Sequence, residues 1–148
     1  MILAIDPGTT ESGWCLFGEG VLYGSGAIEN IRLIAHPWPA ADRCVIEMVA
    51  SYGMPVGREV FETCVWIGRF QQAWRDPNTV ELIYRRDVKL HLCGSSRAKD
   101  ANIRQALIDR LGPIGTKKDP GPLYGVKSHA WAALAVAVTA FDKGLKTA

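Results

Sequence analysis

Met1-Ile2-Leu3-Ala4-Ile5-Asp6-Pro7-Gly8-Thr9-Thr10 opens the chain. Its unbroken apolar run up to Ile5 reads as a short strand buried on both faces, because a strand with one wet face would alternate. Pro7 and Gly8 then supply the backbone angles of a turn. Working outward, residues 13–17 and 20–28 read as a second and third strand, meandering back through Gly18-Glu19-Gly20. Residues 43–49 predict another buried strand. Residues 58–75 have helical spacing, with Val60, Cys64, Ile67, Gln71 and Trp74 on one stripe and Phe61, Val65 and Gly68 beside it. Asp76-Pro77-Asn78 stops that helix. Residues 80–84 predict a strand, 87–92 a short helix, and 100–111 a helix ended by Gly112-Pro113. Residues 113–125 form a loop rich in Gly, Pro and Lys. Ser128 reads as the cap of a last helix reaching about residue 143, alanine-rich and apolar nearly all round, hence buried. The expected architecture is one α/β domain over residues 1–148. Its mixed sheet has three antiparallel meander strands plus parallel strands, and helices lie on its faces.

Composition narrows the class. A chain of 148 residues, 48% hydrophobic and 22% charged, has the make-up of an ordinary soluble domain and excludes a disordered one. The longest apolar stretch, residues 130–141, is shorter than the ~20 residues a membrane helix needs. The N-terminal apolar run lacks the basic flank and length of a secretion signal, so a cytoplasmic protein is expected. Cys15, Cys44, Cys64 and Cys93 form no CxxC pair, and His36, His91 and His129 are equally scattered, which argues against a zinc site. Reduced cysteines packed as small hydrophobes are expected instead. Charge is divided along the chain. Residues 1–84 carry 5 basic and 10 acidic side chains, whereas residues 85–127 carry 10 basic and 4 acidic. That polarity fits a polyanion docking on the later half, or a solvated basic face.

Two carboxylates stand where carboxylates are costly. Asp6 ends the first buried strand, and Glu47 interrupts the apolar residues Cys44-Val45-Ile46 and Met48-Val49. Such an acid is salt-bridged at a strand end, protonated, or bound to metal. If the two strands are neighbours, about 4.8 Å apart, the carboxylates converge and call for a cation between them. Magnesium is the hard ion that suits them.

In order along the chain, Ile5-Asp6-Pro7-Gly8-Thr9-Thr10, Val45-Ile46-Glu47, Val88-Lys89 before Gly94, and His129-Ala130-Trp131-Ala132-Ala133-Leu134-Ala135 resemble the RuvC-type Holliday junction resolvases of the ribonuclease H-like superfamily. Ser51-Tyr52-Gly53-Met54-Pro55-Val56-Gly57 and Lys117-Lys118-Asp119-Pro120-Gly121-Pro122-Leu123-Tyr124-Gly125 are similar to the small bacteriophage-encoded branch. The resemblance covers nearly the whole chain. It implies a ribonuclease H-like fold and a homodimeric DNA endonuclease that resolves four-way and other branched junctions inside a bacterial host. It further implies two Mg²⁺ ions, for which Mn²⁺ substitutes, held by Asp6, Glu47 and His129.

Three departures from that pattern bear on the site. Ala132 stands where many relatives carry an Asp, one turn after the His position. Lys99-Asp100 reverses the order of acid and Lys found there in relatives. Only 40 residues separate Asp6 from Glu47, so the helix before the Glu strand must be shortened into residues 29–41, where Pro37 and Pro39 oppose a long helix. Asp100 is therefore either the N-cap of its helix or the acid that replaces the one missing at Ala132, a fourth catalytic and metal-binding residue. Lys89 matches a basic residue near the scissile phosphate. Arg85, Arg86, Arg97, Lys99, Lys117, Lys118 and Lys127 are expected on the DNA-binding face. Relatives place an aromatic wedge a few residues after the Glu; here that position is Ala50, and Tyr52 is the candidate to stack on opened bases. Two alternatives stay open: a junction-binding protein without catalysis, suggested by Ala132, and a ribosomal-RNA-processing nuclease of the same superfamily. The Asp6–Thr10 turn also resembles the first phosphate loop of actin-like and chaperone ATPases, but those need two such domains.

Overall fold

The computed structural model describes residues 1–38 and 40–147, with side chains up to residue 144. In chain order the elements are strands β1 (Ile2–Asp6), β2 (Glu11–Gly18) and β3 (Val21–Glu29), helix α1 (Asn30–Ala35), strand β4 (Arg43–Met48) and helix α2 (Arg58–Ala73). After a 3₁₀ turn at Pro77–Thr79 come strand β5 (Glu81–Tyr84) and helices α3 (Arg85–Cys93), α4 (Asp100–Leu111) and α5 (Ala130–Thr147). The sheet runs β3-β2-β1-β4-β5, antiparallel across the first three strands and parallel from β1 through β4 to β5. This is the mixed sheet expected from the sequence.

Alternation along the strands divides the interior in two. Ile2 and Ala4 of β1 and Val45 of β4 face a core built on α5, α4 and α3. Leu3, Ile5, Cys44 and Ile46 face the opposite core, where Leu33 of α1 and Ile67 and Phe70 of α2 pack. A strand covered on both sides has no polar position to spare, which accounts for the apolar run at the N-terminus. The alanines of α5 (Ala130, Ala133, Ala135, Ala137 and Ala140) are buried and let the helix lie close on the sheet. No helix among the described residues is long and apolar enough to cross a membrane.

Several boundaries differ from the sequence reading, each for a local reason. Helix α1 is only six residues long; its C-cap His36 is extended (ψ 128°), as expected of a residue before proline. Pro39 lies outside the described residues. Helix α3 starts two residues earlier than predicted, at Arg85, directly after β5 and with no side-chain cap to mark it. Ser128 does not cap α5 in the expected extended conformation. It sits at φ +50°, and its carbonyl accepts the Trp131 N–H at 3.2 Å. The segment 113–125 is more ordered than a loop. Thr116 and Asp119 exchange backbone hydrogen bonds of 3.0 and 3.2 Å, which makes a tight hairpin with Lys117 and Lys118 at its tip. All four cysteines are free, Cys15 and Cys44 fully buried.

Candidate active site

β1 and β4 lie side by side with Ile5 opposite Ile46, so the next residues, Asp6 and Glu47, stand side by side near the carboxyl ends of the two strands. Ala4 and Val45, two residues earlier, both face the α5 core, and the two-residue period of a strand sends both acids the same way. Their carboxyls meet within hydrogen-bond distance, a contact that requires a proton, or a cation, between them. Burial and the adjacent Asp6 push the Glu47 carboxyl up to about 8, against the pull of the Arg85 guanidinium. Asp6 is also raised, by burial above all, although its bond to Glu47 and the charge of Arg85 hold it down.

Helix α5 delivers His129 to this pair. The imidazole Nδ1 lies 3.1 Å from Asp6 Oδ2, while the ring is 62% exposed. The approach depends on Gly13, the register partner of Asp6 on β2. A Cβ at Gly13 would fall 2.4 Å from the His129 carbonyl oxygen, so any side chain there would force the start of α5 away. Ala132 also lines the cleft and offers no ligand.

Opposite, Arg85 is the first residue of α3, one step beyond the strand that pairs with β4. Its Nη1 donates to Glu47 Oε1 at 3.3 Å and its Nη2 to Asp100 Oδ1. Asp100 is 87% exposed and occupies the first helical position of α4. It is not the N-cap: that residue is Lys99, whose N–H donates to Asn102 Oδ1 at 2.9 Å. These groups line one cleft of about 890 Å³, together with Arg104, Gln105 and Trp131. Arg104 is held over the Trp131 ring at 4.9 Å.

The chain matches no family model and no curated protein. Among solved structures it is similar to Thermus thermophilus RuvC, with a TM-score of 0.70 at 21% identity, over 99% of this chain and 96% of that one. The fold is that of RuvC. A second structure, of T. thermophilus RuvC in complex with Holliday junction substrate, aligns over the same shares at a TM-score of 0.68 and 19% identity.

This RuvC-type fold brings Asp6, Glu47, His129, Asp100 and Arg85 to one place, but not as the four-ligand set expected from the sequence. Among the described residues, no three His, Cys, Asp or Glu side chains are grouped to hold one ion. Asp6 touches both Glu47 and His129, whereas Asp100 is turned to Arg85. The Asp6–Glu47 pair nevertheless fits Mg²⁺ or Mn²⁺: two hard oxygen donors, Glu47 buried and Asp6 partly so, side by side in an open cleft.

The other predicted residues are dispersed. Lys89 is half-buried one turn after Arg85 on α3 and does not line the cleft. Lys99 and Lys127 are exposed, each next in sequence to a cleft residue, Asp100 and Ser128. Arg97 is exposed in the turn before α4, and Lys117 and Lys118 stand at the hairpin tip. Arg86 is exposed, and its backbone N–H donates to Tyr52 Oη at 3.3 Å. Sequence reasoning missed Arg104 and Trp131, which carried no signal beyond charge and apolarity. It also missed the clasp behind Asp6. Gly8 N–H donates to Ser12 Oγ (3.1 Å), Ser12 Oγ to Asn30 Oδ1 (2.6 Å), and Asn30 Nδ2 back to the Gly8 carbonyl (2.9 Å). That closed ring fixes the turn after Asp6. Asn30 is fully buried, yet in sequence it is only a polar residue after a strand.

Proposed function

We propose that this protein is a divalent-metal-dependent, structure-selective endonuclease that cuts branched DNA, four-way (Holliday) junctions above all, as a homodimer of the small phage-encoded type. The observation that carries this is the Asp6–Glu47 pair, two largely covered acids converging at neighbouring strand ends in an open cleft beside His129. The junction bound in the RuvC structure of the same fold supports four-way DNA as the substrate class.

Asp6 and Glu47 would hold Mg²⁺, or Mn²⁺ in its place, with His129 as a further ligand through its exposed ring. Two ions bound there would activate a water and stabilise the leaving oxygen of an in-line phosphodiester displacement. The chain's own residues do the rest. Gly13 admits His129, the Ser12–Asn30 clasp keeps Asp6 aimed, and the cleft's guanidiniums compensate phosphate charge. Lys89, Arg86, Arg97, Lys99, Lys117, Lys118 and Lys127 extend the cationic surface along the backbone of the arms. Tyr52, 56% exposed at φ +50° beside Gly53, presents an aromatic face that stacks on opened bases at the branch point.

The test is to incubate the protein with labelled four-way junctions, linear duplex and RNA, each with Mg²⁺ or EDTA. Paired symmetric nicks in the junction are expected, only with metal, and Asp6→Asn should abolish them while junction binding persists. A shifted but uncut junction with every divalent ion would make the protein a binding module. Cutting of RNA alone would make it an RNA-processing nuclease.

A further inference from the structure

Arg85 has two carboxylates and a divided allegiance. Its bond to Glu47, 3.3 Å, reaches a nearly buried acid; its other bond goes to Asp100, an exposed one. A guanidinium stays charged at any physiological pH and carries five N–H donors in a plane; two of them serve these carboxylates. The touching carboxyls of Asp6 and Glu47 share a proton between them at most, and Arg85 is the cation that reaches the charge the pair retains. A metal ion on Glu47 would sit beside that guanidinium, and like charges so close repel. Asp100 cannot follow Arg85 into the floor of the site, because it is fixed at the first turn of α4. It can keep the guanidinium in the cleft once Glu47 is taken by metal.

We propose that Arg85 is a resident counter-cation, which a metal ion displaces from Glu47 and which Asp100 retains in the cleft to receive a DNA phosphate. Asp100 is then a positioning residue for Arg85 and not a metal ligand. The inference rests on the nuclease reading of Asp6 and Glu47. It makes metal binding and phosphate binding reciprocal, since each frees or occupies the same guanidinium.

The experiment measures Mn²⁺ binding to the full chain by titration calorimetry without DNA, and binding of a four-way junction in Ca²⁺ at several salt concentrations. Arg85→Gln removes the competitor and should tighten Mn²⁺ by about fivefold or more, the lower end of ordinary site–site coupling. Asp100→Asn leaves Arg85 to Glu47 alone and should weaken Mn²⁺. In the Arg85→Gln background the same change should shift Mn²⁺ affinity by less than about twofold, because non-additivity marks residues acting through one another. A full loss in both backgrounds would make Asp100 a ligand and overturn the proposal. Removal of a lone acid should strengthen DNA binding, whereas loss of the positioning contact should weaken it. Asp100→Asn is therefore expected to lower junction affinity, with Asp100→Glu restoring most of it, and Arg85→Gln to reduce the salt slope by about one phosphate contact. A tighter junction complex in Asp100→Asn, or an unchanged slope in Arg85→Gln, would overturn the proposal. Arg85→Lys keeps the charge without the fork, and should bind Mn²⁺ as the wild type does. If the wild type binds Mn²⁺ and Asp6→Asn abolishes it, yet Arg85→Gln binds no tighter, this inference fails alone. If Asp6→Asn has no effect on Mn²⁺, the nuclease reading fails and takes this one with it.

Discussion

Glu47 is an acid held inside a strand, and its proton is a stability term. The unfolded chain titrates it near 4.5, whereas the folded, metal-free chain keeps the proton up to about 8 because of burial and the adjacent Asp6. Across that interval the native state binds more protons than the unfolded one, so stability falls as pH rises. The contribution is fully present below the ordinary carboxyl range and is lost as pH passes through about 8. The melting temperature in EDTA should thus decline from pH 5 to pH 8. Glu47→Gln should flatten the decline, and Mg²⁺ should reverse it at the upper end. A metal-free protein that is most stable at pH 8 would contradict this account. Asp6 and Glu47 were legible in the sequence because an acid among Ile, Val and Cys is anomalous by itself. Arg85 was legible only as a positive charge. Its bonds cross from α3 to Glu47 on β4 and to Asp100 on α4, and no periodicity carries that information.

At the scale of elements, the decisive contact is the backbone of His129, at the entry to α5, against β2 at Gly13. Gly13→Ala puts a methyl within 2.4 Å of the His129 carbonyl oxygen and 2.8 Å of its Cβ. Overpacking of this kind typically costs about 1–3 kcal/mol, and relief moves the end of α5 that holds His129 beside Asp6. A drop in melting temperature is expected, together with a loss of cleavage larger than the loss of folded protein; calorimetry beside a junction-cutting assay measures both. Strands and helices were legible wherever their apolar pattern was dense: the apolar run of β1, the meander, and the span of α4 all stand as read. The start of α3 was not. Its N-cap Tyr84 makes no side-chain cap bond, so chain geometry and tertiary packing set that start. The shortness of α1 was legible because Pro37 forces His36 out of the helical region.

At the scale of the whole molecule, α2 buries Ile67 and Phe70 but leaves Phe61 and Val65 exposed, 62% and 56%, on the same helix. That apolar surface lies on the outside of the monomer. Two copies meeting along α2 would cover it and set two clefts about a two-fold axis, as paired scissile strands require. Light scattering should give twice the monomer mass at micromolar concentration, and Phe61→Glu should return it to the monomer with the fold intact; a wild-type monomer at that concentration would refute the dimer. The order of the sheet has a consequence for how the molecule is made. The central strand β1 precedes its covering helix α5 by more than a hundred positions of chain. Asp6 meets His129 across 123 positions of chain, so a nascent polypeptide still threading from the ribosome carries the two halves of the cleft apart. Release before α5 is made would leave a fragment without the Asp6–His129 pair.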